Sequence, residues 1–186
     1  KQKTAYEIRN CDWSSDVCSS DLISEIRIDE VGSVIEELDK NEDLSYTIYQ
    51  SSENNKVTGY AIPIAGKGLW GTMYGYFAIE PDAETVKGIT FYKHKETPGL
   101  GAEVDKDWFK NNFVGKKLTN KNGELVSIEV IKGYVSDTDP EAPHKVDGIS
   151  GATITGTGLT TFLKSDLKKY EPYFAKVRSV NQIESL

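Results

Sequence analysis

Short apolar runs recur along the middle of the chain: YTIYQ (46–50), VTGYAIPIA (57–65), MYGYFAIE (73–80), TVKGITFYKH (85–94) and LVSIEVIKGY (125–134). They are rich in β-branched and aromatic residues, and several alternate apolar with polar positions. The turn signals ENN, GKG, PDAE and KNGE separate them, which predicts an antiparallel sheet. Two segments switch to helical spacing. In EVDKDWFKNNF, Val104, Trp108 and Phe113 fall on one face. After Thr153, the residues Leu159, Phe162, Leu163, Leu167 and Tyr170 do the same, and Pro172 is expected to end that helix. Upstream, VGSVIEELDKNED starts strand-like and ends as a short helix or turn. Strands in a run with few helices predict a single α+β domain, a mostly antiparallel sheet with a few packed helices, over residues 23–180 with a tail at 181–186.

Composition supports this picture and narrows it. With 186 residues, 38% hydrophobic and 27% charged, the chain can bury a sizeable core. A net charge of −7 argues against a general affinity for nucleic acid or anionic lipid. No apolar run approaches the roughly 18 residues of a membrane span. Residues 1–22 stand apart, because KQKTAYEI and DWSSDVCSSDL resemble the translated constant halves of an indexed sequencing adapter. They are set aside as non-native, as a tag would be. Both cysteines, Cys11 and Cys18, lie there, so the remainder has no thiolate nucleophile and no cysteine ligand for zinc or an iron–sulfur cluster.

Several motifs have plain readings. GKGLWG (66–71) matches a dinucleotide fingerprint letter for letter, but strand-like sequence follows where a helix is required, so a turn is expected. An exposed Trp70 in that turn would offer a flat surface to a ring. His94 and His144, the only histidines, fit no common metal-ligand spacing and are expected on solvated loops. There is no GxSxG elbow, and DTDPEAP lacks the glycine and terminal glutamate of a calcium loop. HKETPGLGAE (94–103) joins a strand to a helix; Pro98, Gly99 and Gly101 around Leu100 suit either a connector or a loop that approaches a ligand closely.

The stretch HKVDGISGATITGTGL (144–159) strings hydroxyls and small residues together before a helix. Ser150 or Thr153 could simply cap that helix. Alternatively, small side chains at a helix N-terminus let a phosphate rest against backbone N–H groups and the positive dipole end. A phosphate tethered there needs a nearby hydroxyl, and Thr153 is placed for it.

Asp147-Gly-Ile-Ser-Gly-Ala-Thr153 resembles the attachment motif of covalent FMN-binding domains, in which FMN is joined through its phosphate to the last threonine. GKGLWGTMYGYFAI, GITFYKHKETPGLGAEV, VDGISGATITGTGL and YFAKVR, in this order, are similar to the C subunits of the Na⁺-translocating NADH:quinone reductases, over residues 58–178. The resemblance implies covalent FMN on Thr153 and a motif formed by Asp147, Ser150, Gly151 and Ala152. It further implies that Glu96, Thr97, Gly99, Leu100 and Trp70 surround the flavin. It implies an electron relay between other subunits of the complex, maturation by a flavin transferase with Asp147 serving the attachment, and an upstream membrane helix that holds the domain on the periplasmic side of a bacterial inner membrane. The G subunits of the ferredoxin:NAD⁺ oxidoreductases share SGAT and a similar ETPGLG loop, and a binding module with a mere helix cap remains the rival of another class.

Overall fold

The computed structural model describes residues 22–35 and 45–184. The adapter-like segment apart from Leu22, both cysteines and the acidic stretch 36–44 lie outside the described residues. Five strands form one antiparallel meander: β1 (Leu22–Ile28), β2 (Tyr46–Glu53), β3 (Lys56–Lys67), β4 (Thr72–Ile79) and β5 (Val86–Lys93). The α+β architecture is as the alternation predicts. Period-two patterning turns Ile48, Ile62, Ile64, Phe77 and Ile89 to one face, where each is at most 3% exposed. Burial of each such side chain contributes about 1.5–3 kcal/mol. The other face carries a tyrosine array: Tyr92 lies 5.6 Å from Tyr76, which meets Tyr49 edge-on at 6.0 Å.

The buried face is covered by α2 (Thr153–Glu184), a 32-residue helix whose Leu159, Phe162, Leu163, Leu167, Tyr170 and Phe174 point into the core. The helix does not end before Pro172. Loss of one backbone bond at proline is offset by packing on both sides. A Cβ on Gly32 would collide with the helix backbone at Pro172 and Tyr173, so the turn after β1 presses directly on this point. Lys176 donates to Gly32 O (3.0 Å), Arg178 to Ala83 O (3.0 Å) and Asn181 to Pro81 O (3.1 Å). Tertiary contacts therefore carry the helix past its local stop signal.

Three other elements differ from the sequence pattern. The first strand is LISEIRI (22–28), earlier than VGSVI, because Asp29 accepts the N–H groups of Val31 and Ser33 and bends the chain there. EVDKDWFKNNF splits into a 3₁₀ turn (Gly101–Asp105) and a five-residue α1 (Asp107–Asn111), separated by an extended Lys106. The break buries Val104, Phe109 and Phe113 and leaves Trp108 at 45% exposure, donating to Glu103. LVSIEVIKGY contributes only β6 (Glu129–Val130), paired in parallel with β7 (Lys145–Val146). Its donors go elsewhere: Val126 and Ser127 both bond Leu118 O, and Val130 N–H bonds the Thr160 hydroxyl.

Tyr60 ties β3 to the far end of α2 through edge-on contacts with Phe174 (5.5 Å) and Tyr173 (6.3 Å). Burial first, and the neighbouring Tyr173 second, push its hydroxyl up from 10.0 to about 12. A raised folded-state value means that its share of stability is full below the unfolded value and is lost as pH rises towards about 12. Tyr60→Phe is expected to flatten the loss of stability above pH 10 without altering its trend at neutral pH, as measured by urea unfolding across that range.

Candidate functional site

Three segments converge at one end of the molecule: the β3–β4 hairpin turn, the loop after β5, and the entry to α2. Their common partner is Glu96, only 6% exposed. Its Oε1 accepts the Trp70 N–H at 3.0 Å and its Oε2 accepts the Thr155 hydroxyl at 2.5 Å. A Cβ on Gly68 would lie 2.5 Å from Oε1, and one on Gly101 would lie 2.5 Å from Oε2. The glycines are therefore required by the carboxylate between them, not by a phosphate. GKGLWG is a hairpin turn closed by Gly68 N–H to Gly71 O at 2.8 Å, as the strand-like sequence after it requires.

Small residues at the start of α2 serve the same close approach. A Cβ on Gly158 would collide with Lys67 O, and one on Gly156 would come 3.0 Å from Val130. Gly151, at φ +75°, lies against Leu100; a Cβ there would be 2.8 Å from its Cδ2. Gly99, at φ +74°, faces open space.

The hydroxyls separate sharply. Of the five threonines between Thr153 and Thr161, four donate within the chain. Thr155 bonds Glu96, Thr157 bonds Thr153 O at 3.0 Å, Thr160 bonds Gly156 O at 3.1 Å, and Thr161 bonds Thr157 O at 2.8 Å. Thr153, the first residue of α2, is exposed, and its hydroxyl bonds none of the described residues. Ser150 is likewise exposed and bonds none of them, but it precedes the helix. Asp147 is half-buried, with Oδ1 accepting the Val135 N–H at 2.7 Å. Ala152 is buried beneath the turn.

The segments that meet here expose large apolar side chains: Trp70 is 65%, Ile154 62%, Leu100 42% and Leu69 40% exposed. Thr97 is also exposed, and its carbonyl closes the ETPGLG loop by accepting Leu100 and Ala102 N–H groups. These features suit a phosphorylated aromatic cofactor. The free hydroxyl sits at the positive end of a long dipole, and the neighbouring loops expose large apolar side chains. Nothing in the sequence marks Thr155 as buried against Glu96, or shows that Gly68 and Gly101 bracket that carboxylate.

Neither histidine stands free in solvent. His94 Nδ1 accepts the Glu96 N–H at 3.1 Å, so Nε2 carries the proton and donates to Asp105 at 2.6 Å. His144 Nδ1 donates to Lys117 O at 2.6 Å. Each ring replaces water with chain partners. Among the described residues no group of three or more His, Cys, Asp or Glu could hold a metal, and no helix is long and apolar enough to cross a membrane.

An antiparallel meander capped by one long helix, with glycine loops meeting at the first turn of that helix, is the architecture of a cofactor-carrying α+β domain. The chain belongs to the FMN-binding domain family, whose profile matches residues 68–168. It is 40% identical over 134 residues to the C subunit of the Na⁺-translocating NADH-quinone reductase of Pseudomonas aeruginosa, covering 71% of this chain and 51% of that protein. It is 42% identical over 129 residues to the protein of the same name from Haemophilus ducreyi, covering 68% and 48%. The chain spans about half the length of the curated relatives it matches. The crystal structure of the same protein from Parabacteroides distasonis superposes with a TM-score of 0.70 at 32% identity, covering 81% of this chain and 77% of that one. That of Shewanella oneidensis NqrC gives 0.72 at 26% identity, covering 84% of both.

Gly101→Ala, which places a methyl against Glu96 and Thr155, is expected to lower stability by about 1–3 kcal/mol. Gly71→Ala meets only the flexible Lys95 side chain, at 3.5 Å, and should change stability by less than about 0.5 kcal/mol. Urea unfolding of both variants measures the difference.

Proposed function

We propose that this chain is the flavin-carrying domain of the C subunit of a Na⁺-translocating NADH:quinone reductase, with FMN held as a phosphoester on Thr153. The observation that carries the reading is the hydroxyl inventory of α2. Four threonines are engaged, and the exposed free one falls on the last position of the DGISGAT motif. Family membership and the names of the relatives support FMN and the complex. Those names point to the Na⁺-translocating reductase and not to the ferredoxin-linked one.

Attachment begins from FAD bound to a separate flavin transferase. The Thr153 oxygen bonds to the phosphorus of the FMN half, the pyrophosphate bond breaks, AMP departs, and the threonine proton leaves to a base. A threonine hydroxyl is a poor nucleophile at neutral pH, so that base is required. Asp147 serves this step, fixed in place by the Val135 N–H. Amides at the start of α2 stabilise charge on the phosphate. Once bound, the isoalloxazine supplies the redox chemistry, and the protein supplies position and electrostatics. Trp70 and Leu100 offer apolar surface to the ring, while Thr97, Gly99, Ser150, Gly151 and Ala152 shape the backbone around it. Glu96 acts from beneath, holding the loops. In the assembled complex this domain passes electrons between other subunits, anchored through a helix upstream and held on the periplasmic side of the inner membrane.

In-gel fluorescence under denaturing conditions tests the attachment. Protein co-expressed with a flavin transferase should give a fluorescent band. Thr153→Ala should give none, and neither should the wild type without the transferase. A dark wild-type band beside a fluorescent control substrate would refute covalent attachment and leave the hydroxyls as helix caps.

A further inference from the structure

Thr155 is fully buried two residues beyond the acceptor, and its hydroxyl reaches Glu96 at 2.5 Å. Two residues of an α-helix are turned by about 200° from one another. Pegging Thr155 inward therefore points Thr153 outward, on the opposite side of the same turn. The peg also crosses segments. Glu96 holds Trp70 N–H with its other oxygen, and its own N–H is held by His94, which Asp105 orients. One hydrogen-bonded chain thus runs from the loop after β5 to the hairpin and the first turn of α2.

A valine would fill the Thr155 site with the same shape and no hydroxyl. Burying a hydroxyl against a carboxylate is worth little net stability over an apolar packing, but it fixes one geometry, because either partner left alone is penalised. Thr160 makes a second peg on the same helix, accepting the Val130 N–H at 2.9 Å, but nothing links it to Glu96. That separation allows a direct comparison.

We propose that Thr155, acting through Glu96, is the positioning residue that sets the Thr153 hydroxyl for FMN transfer. The inference rests on Thr153 being the acceptor. A positioning role lowers the turnover of the transfer step while leaving recognition of the protein intact.

The test uses the full chain, purified flavin transferase and FAD, with the chain as varied substrate and circular dichroism as the check of folding. Thr155→Val should lower kcat for attachment by on the order of 10- to 100-fold with KM unchanged. Thr155→Ser, which keeps the hydroxyl, should restore it to within about threefold, and Thr160→Val should leave it at the wild-type value. A folded Thr155→Val attaching at the wild-type kcat would overturn the proposal, as would an equal loss in Thr160→Val. If Thr155→Val does not fold, Thr155→Ala decides, since it removes the same hydroxyl with a residue that favours the helix: slow attachment supports the peg and wild-type attachment overturns it. Failure of the wild type to accept FMN would instead remove the reading of Thr153 itself, which the in-gel measurement separates.

Discussion

A single buried carboxylate organises the working end of this domain. Glu96 has two oxygens and two donors, one from the β3–β4 hairpin and one from α2, and a glycine is pressed against each oxygen. A buried polar group must be bonded or it costs stability. Three chain segments separated by many residues therefore meet in one arrangement or leave the carboxylate unsatisfied. The glycine-rich motifs, which look like phosphate loops in isolation, are spacers around a side chain.

The meander and α2 make this junction possible. The sheet turns one face inward, α2 lies across it, and the helix start reaches the hairpin that links β3 and β4. Small residues along TITGTGL let the backbone of that hairpin approach, with Gly158 against Lys67 O and Gly66 against the Phe162 ring. Of the three hydroxyls in this stretch, Thr155 is taken by Glu96 and Thr157 by the helix backbone, and that of Thr153 bonds none of the described residues. Scaffold and function thus share one short segment without competing for the same side chains.

Much of this is legible in the chain. Alternation locates β2 to β5, and helical spacing locates the buried face of α2. Errors arise where long-range contacts overrule local preference. Pro172 lies inside a helix that the Gly32 turn and Lys176 hold in place. LVSIEVIKGY keeps strand-like residues, yet its N–H groups are claimed by Leu118 and Thr160. The ETPGLG and DGISGAT motifs are singled out by resemblance, and Leu100 of the first lies against Gly151 of the second. The burial of Glu96 is not legible, because a glutamate in a Pro-Gly loop is ordinarily solvated and its partners are 26 and 59 residues away. The inward turn of Thr155 is hidden for the same reason.

The most direct test of the central claim is a crystal structure of the protein purified after co-expression with a flavin transferase. FMN phosphate is expected on the Thr153 oxygen, with the ring against Trp70 and Leu100, and Glu96 still buried between Gly68 and Gly101 with Thr155 and Trp70 as its donors. A bare Thr153 with flavin seated elsewhere, or Glu96 swung out to meet the ring, would contradict that claim.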